Sequence, residues 1–195
     1  MAAQELILAS ASPRRKAILT ELGIAFRAFP ADLDEDALTL PDPFKTAKTL
    51  ARAKATAVAT RFPNALVLGS DTVVAFPASE GWTQLAKPLD AEDAKRMLRT
   101  LAGRTHTVAT GIALYGPGVD DSSVEKADVT FRPLEEGEIA EYVATGEPMD
   151  KAGSYGLQGM AGGFVVGIEG DPTTVIGLPK EAVVRLLRAH GIVAG

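Results

Sequence analysis

Ser10-Ala-Ser-Pro-Arg-Arg15 is the first place where residue types and spacing suggest chemistry. It lies between a short apolar run and a helix start. Free N–H groups at a helix N-terminus attract anions. Two arginines there oppose the helix dipole, and an anionic ligand resolves that conflict because guanidinium forks match phosphate oxygens. Two solvated arginines beside an ordinary cap are the plainer account. Lys54 is the second anomaly, since it falls within the stripe formed by Ala47, Leu50, Ala51 and Val58 at the helical period. Either its stem packs while the ammonium reaches water, or it is a cation held at the floor of a cleft.

Asp71 ends the apolar run Leu66-Val-Leu-Gly-Ser-Asp71. Ligands of open α/β sheets bind beyond the carboxyl ends of strands. If the strands before Ser10 and Asp71 are parallel neighbours, Ser10, Arg14, Arg15 and Asp71 converge; a turn aspartate is the alternative. The loop Asp32-Leu-Asp-Glu-Asp36 offers carboxylates that either hold a hard cation or are merely solvated. Lys87-Pro88, after a strand-like Thr83 to Ala86, can aim another ammonium inward. Cations that neutralise phosphate, carboxylates that hold a metal and one carboxylate that activates water together describe a phosphate-ester or anhydride site.

The elements that must position these groups alternate along the chain and predict an α/β domain. Leu6–Ala9 reads as a buried strand. Ser12 caps a helix with Pro13 at its first position, running to Leu22 before Gly23. Residues 24–29 read as a strand, and Asp42-Pro43 starts a helix to about Phe62. Residues 65–69 and 72–76 read as strand interrupted at Ser70-Asp71. Asp90 caps a helix to about Leu101, residues 105–115 and 123–131 form an antiparallel pair, and a helix from Glu135 stops at Gly146. The glycine-rich stretch 153–163 is a loop, 164–168 a late strand and 179–190 a closing helix.

Composition narrows the classes. The chain has 195 residues, 46% apolar and 23% charged, in keeping with one globular domain over residues 1–195. Lys and Arg total 20 against 25 Asp and Glu, and the net charge of −5 argues against nonspecific nucleic-acid or membrane-surface binding. Absent cysteine excludes disulfides and thiolate metal sites. No apolar run approaches the roughly 20 residues of a membrane span, and no signal peptide is evident at Met1–Glu5, so a cytoplasmic location is expected. His106 and His190 lack triad or zinc spacing. No P-loop, Rossmann or RNA-stacking motif is present.

Leu8-Ala-Ser-Ala-Ser-Pro-Arg-Arg15 resembles the N-terminal signature of the Maf family of nucleoside triphosphate pyrophosphatases. Leu50-Ala-Arg-Ala-Lys54, Leu68-Gly-Ser-Asp-Thr-Val73, Lys87-Pro88, Gly103-Arg-Thr-His-Thr-Val108, Thr110-Gly111 and Asp150-Lys-Ala-Gly-Ser-Tyr155 continue the match, as do Tyr142, Gly146-Glu-Pro148, Gln158-Gly159 and Val175-Ile-Gly-Leu-Pro179. The resemblance implies a mixed twisted sheet with flanking helices and two lobes around a cleft, similar to inosine triphosphate pyrophosphatases. It implies hydrolysis of the α–β phosphoanhydride to monophosphate and pyrophosphate, a divalent cation (Mg²⁺ or Mn²⁺), and a homodimer. Asp71 maps onto the catalytic proton acceptor. Ser10, Arg14, Arg15, Lys54 and Lys87 map onto phosphate-binding positions, while Glu35 and Asp71 map onto the metal site.

The branch that hydrolyses dTTP and UTP carries Asp-Thr and a Lys-Ala-Gly-x-Tyr-Gly-x-Gln loop, matched by Asp71-Thr72 and Lys151 to Gln158. Arg14, Thr72 and Gln158 fall at positions linked to base choice, and an amide can pair with the edge of a uracil-type ring. Residues 80–86 and Pro172-Thr-Thr174 depart from the family pattern, which bears on base choice and the dimer contact. The rival readings are a pyrophosphatase for other nucleotides, such as 7-methyl-GTP or CTP, and a cell-division regulator that acts by binding.

Overall fold

The computed structural model describes residues 5–193. Its centre is a seven-stranded mixed sheet. Strand β1 (Leu6–Leu8) pairs in parallel with β2 (Arg27–Ala28) on one side and β3 (Leu66–Ala78) on the other. The antiparallel order continues from β3 through β5 (Thr105–Gly116) and β6 (Val119–Phe131) to β7 (Val165–Glu169), and β4 (Gly81–Leu85) folds back on the far end of β3. The α-helices are α1 (Pro13–Glu21), α2 (Pro43–Ala59), α3 (Ala91–Leu101), α4 (Glu136–Ala144), α5 (Pro172–Ile176) and α6 (Lys180–Ala189).

Local chemistry explains most of these boundaries. The side chains of Ser12, Asp42 and Asp90 each accept a backbone N–H from the first turn of the adjoining helix, and proline opens α1 and α2. The structure departs from the sequence reading in three places. The expected break at Ser70-Asp71 is absent: β3 is continuous, with Ser70 opposite Ile112 and Asp71 opposite Gly111 on β5. A ladder of backbone pairs overrides the local turn preference of Gly-Ser-Asp. The strand expected over 24–29 contracts to Arg27–Ala28. Helix α5 is an addition to the expected elements, although Asp171 and Pro172 repeat the cap-and-proline signal of α1 and α2.

The main hydrophobic clusters lie toward opposite ends of β3 and β5. At the β1 end, Leu8, Leu19, Leu66, Leu68, Leu114 and Leu187 pack under α1 and α6, while Ile7, Val58 and Val67 pack under α2 on the opposite face. At the other end, Val74, Leu98, Val108, Phe131, Ile139 and Tyr142 pack against α3 and α4. Between the cores, Ser70, Asp71 and Thr110 are buried polar residues.

Helix α2 comes unusually close to this middle segment. A Cβ at Gly69 would overlap the Ala51 carbonyl oxygen, and one at Gly111 would overlap that of Ala47. The helix answers with Ala47, Ala51 and Ala55, all fully buried. Because strand side chains alternate between faces, Gly69, Asp71 and Val73 look toward α2. Ser70 and Thr72 look the other way.

His106 sits in the second core, 1% exposed, edge-on to Phe131 and Tyr155, with Nε2 2.7 Å from the Tyr155 hydroxyl. Burial lowers its pKa from 6.5 to about 4, against the pull of Asp128. The unfolded chain therefore takes up this proton first as pH falls. The stability linked to neutral His106 is complete above pH 6.5 and is lost as pH drops toward 4, by about 3 kcal/mol. Urea unfolding of wild type and His106→Phe across this range should show the difference between them shifting by that amount against the wild type; a constant difference would contradict it.

Candidate active site

On the α2 side of β3, three charged groups meet. The Lys54 ammonium is 2.5 Å from Asp71 Oδ1 and 2.8 Å from Glu35 Oε1. Its side chain is only 11% exposed, so its ammonium is paired with carboxylates and does not reach out to water. Lys54 reaches Asp71 because α2 is held against Gly69 and Gly111. Glu35 arrives from the loop between β2 and α2, just before a 3-10 turn at Asp36–Leu38. That loop is fastened by the buried Thr46, whose hydroxyl accepts from Leu40 N (3.0 Å) and lies 2.9 Å from Leu40 O. The Gln84 amide on β4 donates to the same carbonyl at 2.6 Å.

Burial pushes the Asp71 carboxyl above the usual aspartate range; the charges of Lys54 and Arg15 oppose that shift, and Glu35 adds to it. Burial also raises Glu35, but there the hydrogen bond and charge of Lys54, helped by Lys87 and Arg15, prevail and leave it below the ordinary glutamate value. The two carboxylates around one ammonium thus differ in proton affinity. The more basic of them, Asp71, is the better proton acceptor near neutral pH.

On the opposite face, Arg15 is fixed by three bonds. Nε donates to Gly177 O at 2.8 Å, Nη1 to Ser10 Oγ at 3.3 Å and Nη2 to Thr72 Oγ1 at 3.2 Å. Burial lowers its pKa, with Asp71 pulling it back up; guanidinium nevertheless stays charged at any working pH. The hydroxyls beyond it have a single consistent order. Thr110 donates to Thr174 O at 2.7 Å, so it accepts from Thr72 at 2.9 Å, and Thr72 accepts from Arg15. Ser70 adds a donor to Gly177 O at 2.9 Å. Gly177 has φ +111° at the end of α5, a conformation side chains resist, and a Cβ there would sit 3.1 Å from Thr72 Oγ1.

The two networks flank a stretch of β3 that pairs with neither β1 nor β4 on that edge. β1 covers β3 as far as Leu68, which accepts from Ala9 N, and β4 takes over at Val74. Leu66 and Leu68 bond toward β1, so by alternation Ser70 and Thr72 turn their main-chain groups to the same edge, past the end of β1. Ser10 and the start of α1 lie at one end of this stretch. The segment carrying Lys87 lies at the other.

The remaining expected site residues join neither network. Arg14 is 4.0 Å from Asp150. Lys87 is exposed, and its charge is felt at Glu35. Gln158 is exposed in the glycine-rich stretch. That stretch is anchored by Gly153 N, which donates to Ala86 O at 3.1 Å directly before Lys87, and by Ser154, a left-handed residue (φ 62°) whose hydroxyl lies 3.1 Å from Met97 Sδ. The structure thus joins Ser10, Arg15 and Thr72 in one network and Glu35, Lys54 and Asp71 in another. Sequence reasoning missed the roles of Thr46, Ser70, Thr110, Thr174 and Gly177; only the neighbours of Asp71, the Thr110-Gly111 pair and the family-like segment 175–179 offered a signal.

Among the described residues no cluster of three or more His, Asp or Glu could hold a metal ion. Asp71 and Glu35 nevertheless converge on one point with hard oxygen donors. That set fits a Mg²⁺- or Mn²⁺-type cation whose other ligands are phosphate oxygens and water.

Thr110→Val keeps the shape and removes the middle hydroxyl, stranding Thr174 O and Thr72. It should cost about 1–3 kcal/mol of stability in urea unfolding. A smaller loss would mean that the hydroxyl chain is not what holds this face.

Residues 5–190 match the profile of the family described as Maf-like protein. A Koribacter versatilis protein named dTTP/UTP pyrophosphatase is 48% identical over 187 residues, covering 96% of this chain and 95% of that protein. A Myxococcus xanthus protein of the same name is 46% identical, covering 96% and 93%. Among solved structures, the Staphylococcus aureus Ham1 protein aligns with a TM-score of 0.44 at 16% identity, covering 98% of this chain and 92% of that one.

Proposed function

The chain belongs to the Maf-like protein family, and on that premise we propose that it hydrolyses dTTP and UTP to the nucleoside monophosphate and pyrophosphate. The relatives that bear this activity in their names span nearly its full length. The observation that carries the chemistry is Asp71: a buried carboxylate with raised proton affinity, bonded to Lys54 and within the field of Arg15.

In this reading the triphosphate lies along the unpaired edge of β3. Ser10, Arg14 and Arg15 bind phosphate oxygens from the α1 side, and Lys54 and Lys87 bind them from the other. Their charges offset the negative charge that gathers on the phosphates during reaction. Asp71 orients a water molecule, takes its proton and directs the oxygen at the α-phosphorus, so the α–β bridge breaks and pyrophosphate leaves. Asp71 and Glu35 would hold a divalent cation, which when bound supplies Lewis-acid polarisation of the phosphates. Arg14 and Gln158, at the positions the family resemblance links to specificity, would read the base. Thr72 contributes through Arg15, because its hydroxyl is already committed to Arg15 and Thr110. No helix among the described residues is long and apolar enough to cross a membrane.

Pyrophosphate release from dTTP, UTP, CTP and 7-methyl-GTP tests this directly. Wild type should release it selectively from dTTP and UTP. Asp71→Asn should lower turnover by about 10²–10⁴-fold while nucleotide binding persists. A fully active Asp71→Asn enzyme would remove Asp71 as the base, and preference for 7-methyl-GTP would overturn the base assignment.

A further inference from the structure

The Glu35–Asp71 pair already holds a cation, which is Lys54. One ammonium receives an oxygen from each carboxylate, at 2.5 Å and 2.8 Å, on a largely buried stem. Both carboxylates are the ones expected to hold a divalent ion. An ion arriving alone would have to compete with an ammonium that is tethered to the chain, at no cost in association entropy. It would also face the charges of Arg15 and Lys87, both of which reach Glu35. A triphosphate changes both terms. It brings negative charge beside Arg15 and Lys87, and it offers the Lys54 ammonium new oxygens within reach of its flexible stem.

We propose that Lys54 is the resident counter-cation of the Glu35–Asp71 pair, so that the site excludes free divalent metal and accepts it only together with nucleotide phosphates. The enzyme would then take up metal and nucleotide as a unit, with Lys54 exchanging carboxylate oxygens for phosphate oxygens. This inference rests on the pyrophosphatase reading above but concerns a step before any chemistry.

The test is Mn²⁺ binding, followed by loss of the free-ion paramagnetic resonance signal, with no nucleotide present. Wild type should bind Mn²⁺ weakly, and Lys54→Met at least tenfold more tightly. Lys54→Arg, which keeps the charge, should remain weak. Adding Glu35→Gln to Lys54→Met should abolish the gain, which places the ion at this pair. Wild-type affinity for Mn²⁺ should rise when a UTP analogue with a non-hydrolysable α–β bridge is added.

Equal affinity of wild type and Lys54→Met would overturn the proposal. Should Lys54→Met fail to fold, the wild type still decides by thermal denaturation. Mn²⁺ alone should leave its melting temperature unchanged, whereas Mn²⁺ with the analogue should raise it more than the analogue does; a rise with Mn²⁺ alone overturns the proposal. Wild-type pyrophosphate release separates the two levels. Release from UTP with tight metal binding in the absence of nucleotide defeats only the Lys54 inference. No release from any nucleotide defeats the pyrophosphatase reading itself.

Discussion

The backbone of α2 rests directly on β3 and β5, and it can do so only where both strands lack side chains, at Gly69 and Gly111. This contact sets the distance from the helix to the strand on which Asp71 sits. Lys54 lies one turn beyond Leu50 and Ala51 on the same helix face, so the approach that buries those residues also presses an ammonium onto a carboxylate. The charge that could not have been buried alone is compensated by Asp71 and Glu35. Packing and electrostatics here are a single arrangement: loosening the helix would separate the ions, and removing the carboxylates would leave an uncompensated lysine in an alanine-lined seam.

Strand β3 divides its work by parity. Its odd positions in the central segment serve the carboxylate–ammonium cluster under α2. Its even positions, Ser70 and Thr72, serve the guanidinium of Arg15 under α1 and α5. A one-residue slip against β5 would exchange the two faces and destroy both sites at once. The long register from Val67 to Ala75 holds that alignment. The expected break at Ser70-Asp71 would have cost the strand this property.

Features with local causes were legible in the sequence. Ser12, Asp42 and Asp90 cap the helices that begin beside them, and capping needs only the next three residues. Lys54 was visible as a misfit in an apolar stripe, and the expected parallel pairing of the strands that lead to Ser10 and Asp71 is present. Glu35 could not be picked from its acidic neighbours by spacing; only the family resemblance singled it out, because its partner is 19 positions away on another element. Thr110 and Gly177 fall in family-like segments, but neither they nor Thr174 could be given their hydrogen-bonding roles from the sequence. Their partners lie 38 to 162 positions distant, and nothing in a threonine or glycine announces such a bond.

The uncovered stretch of β3 carries a further implication for solubility. A strand edge with unpaired main-chain groups is a template on which another chain can add a strand. Here the opening is only the few residues between Leu68 and Val74, closed at one end by β1 and at the other by β4. It is too short for a foreign strand to gain a stable register, and buried charge lies beneath it. The sheet can therefore leave two residues of β3 without a strand partner along that edge while remaining closed there to strand-by-strand self-association.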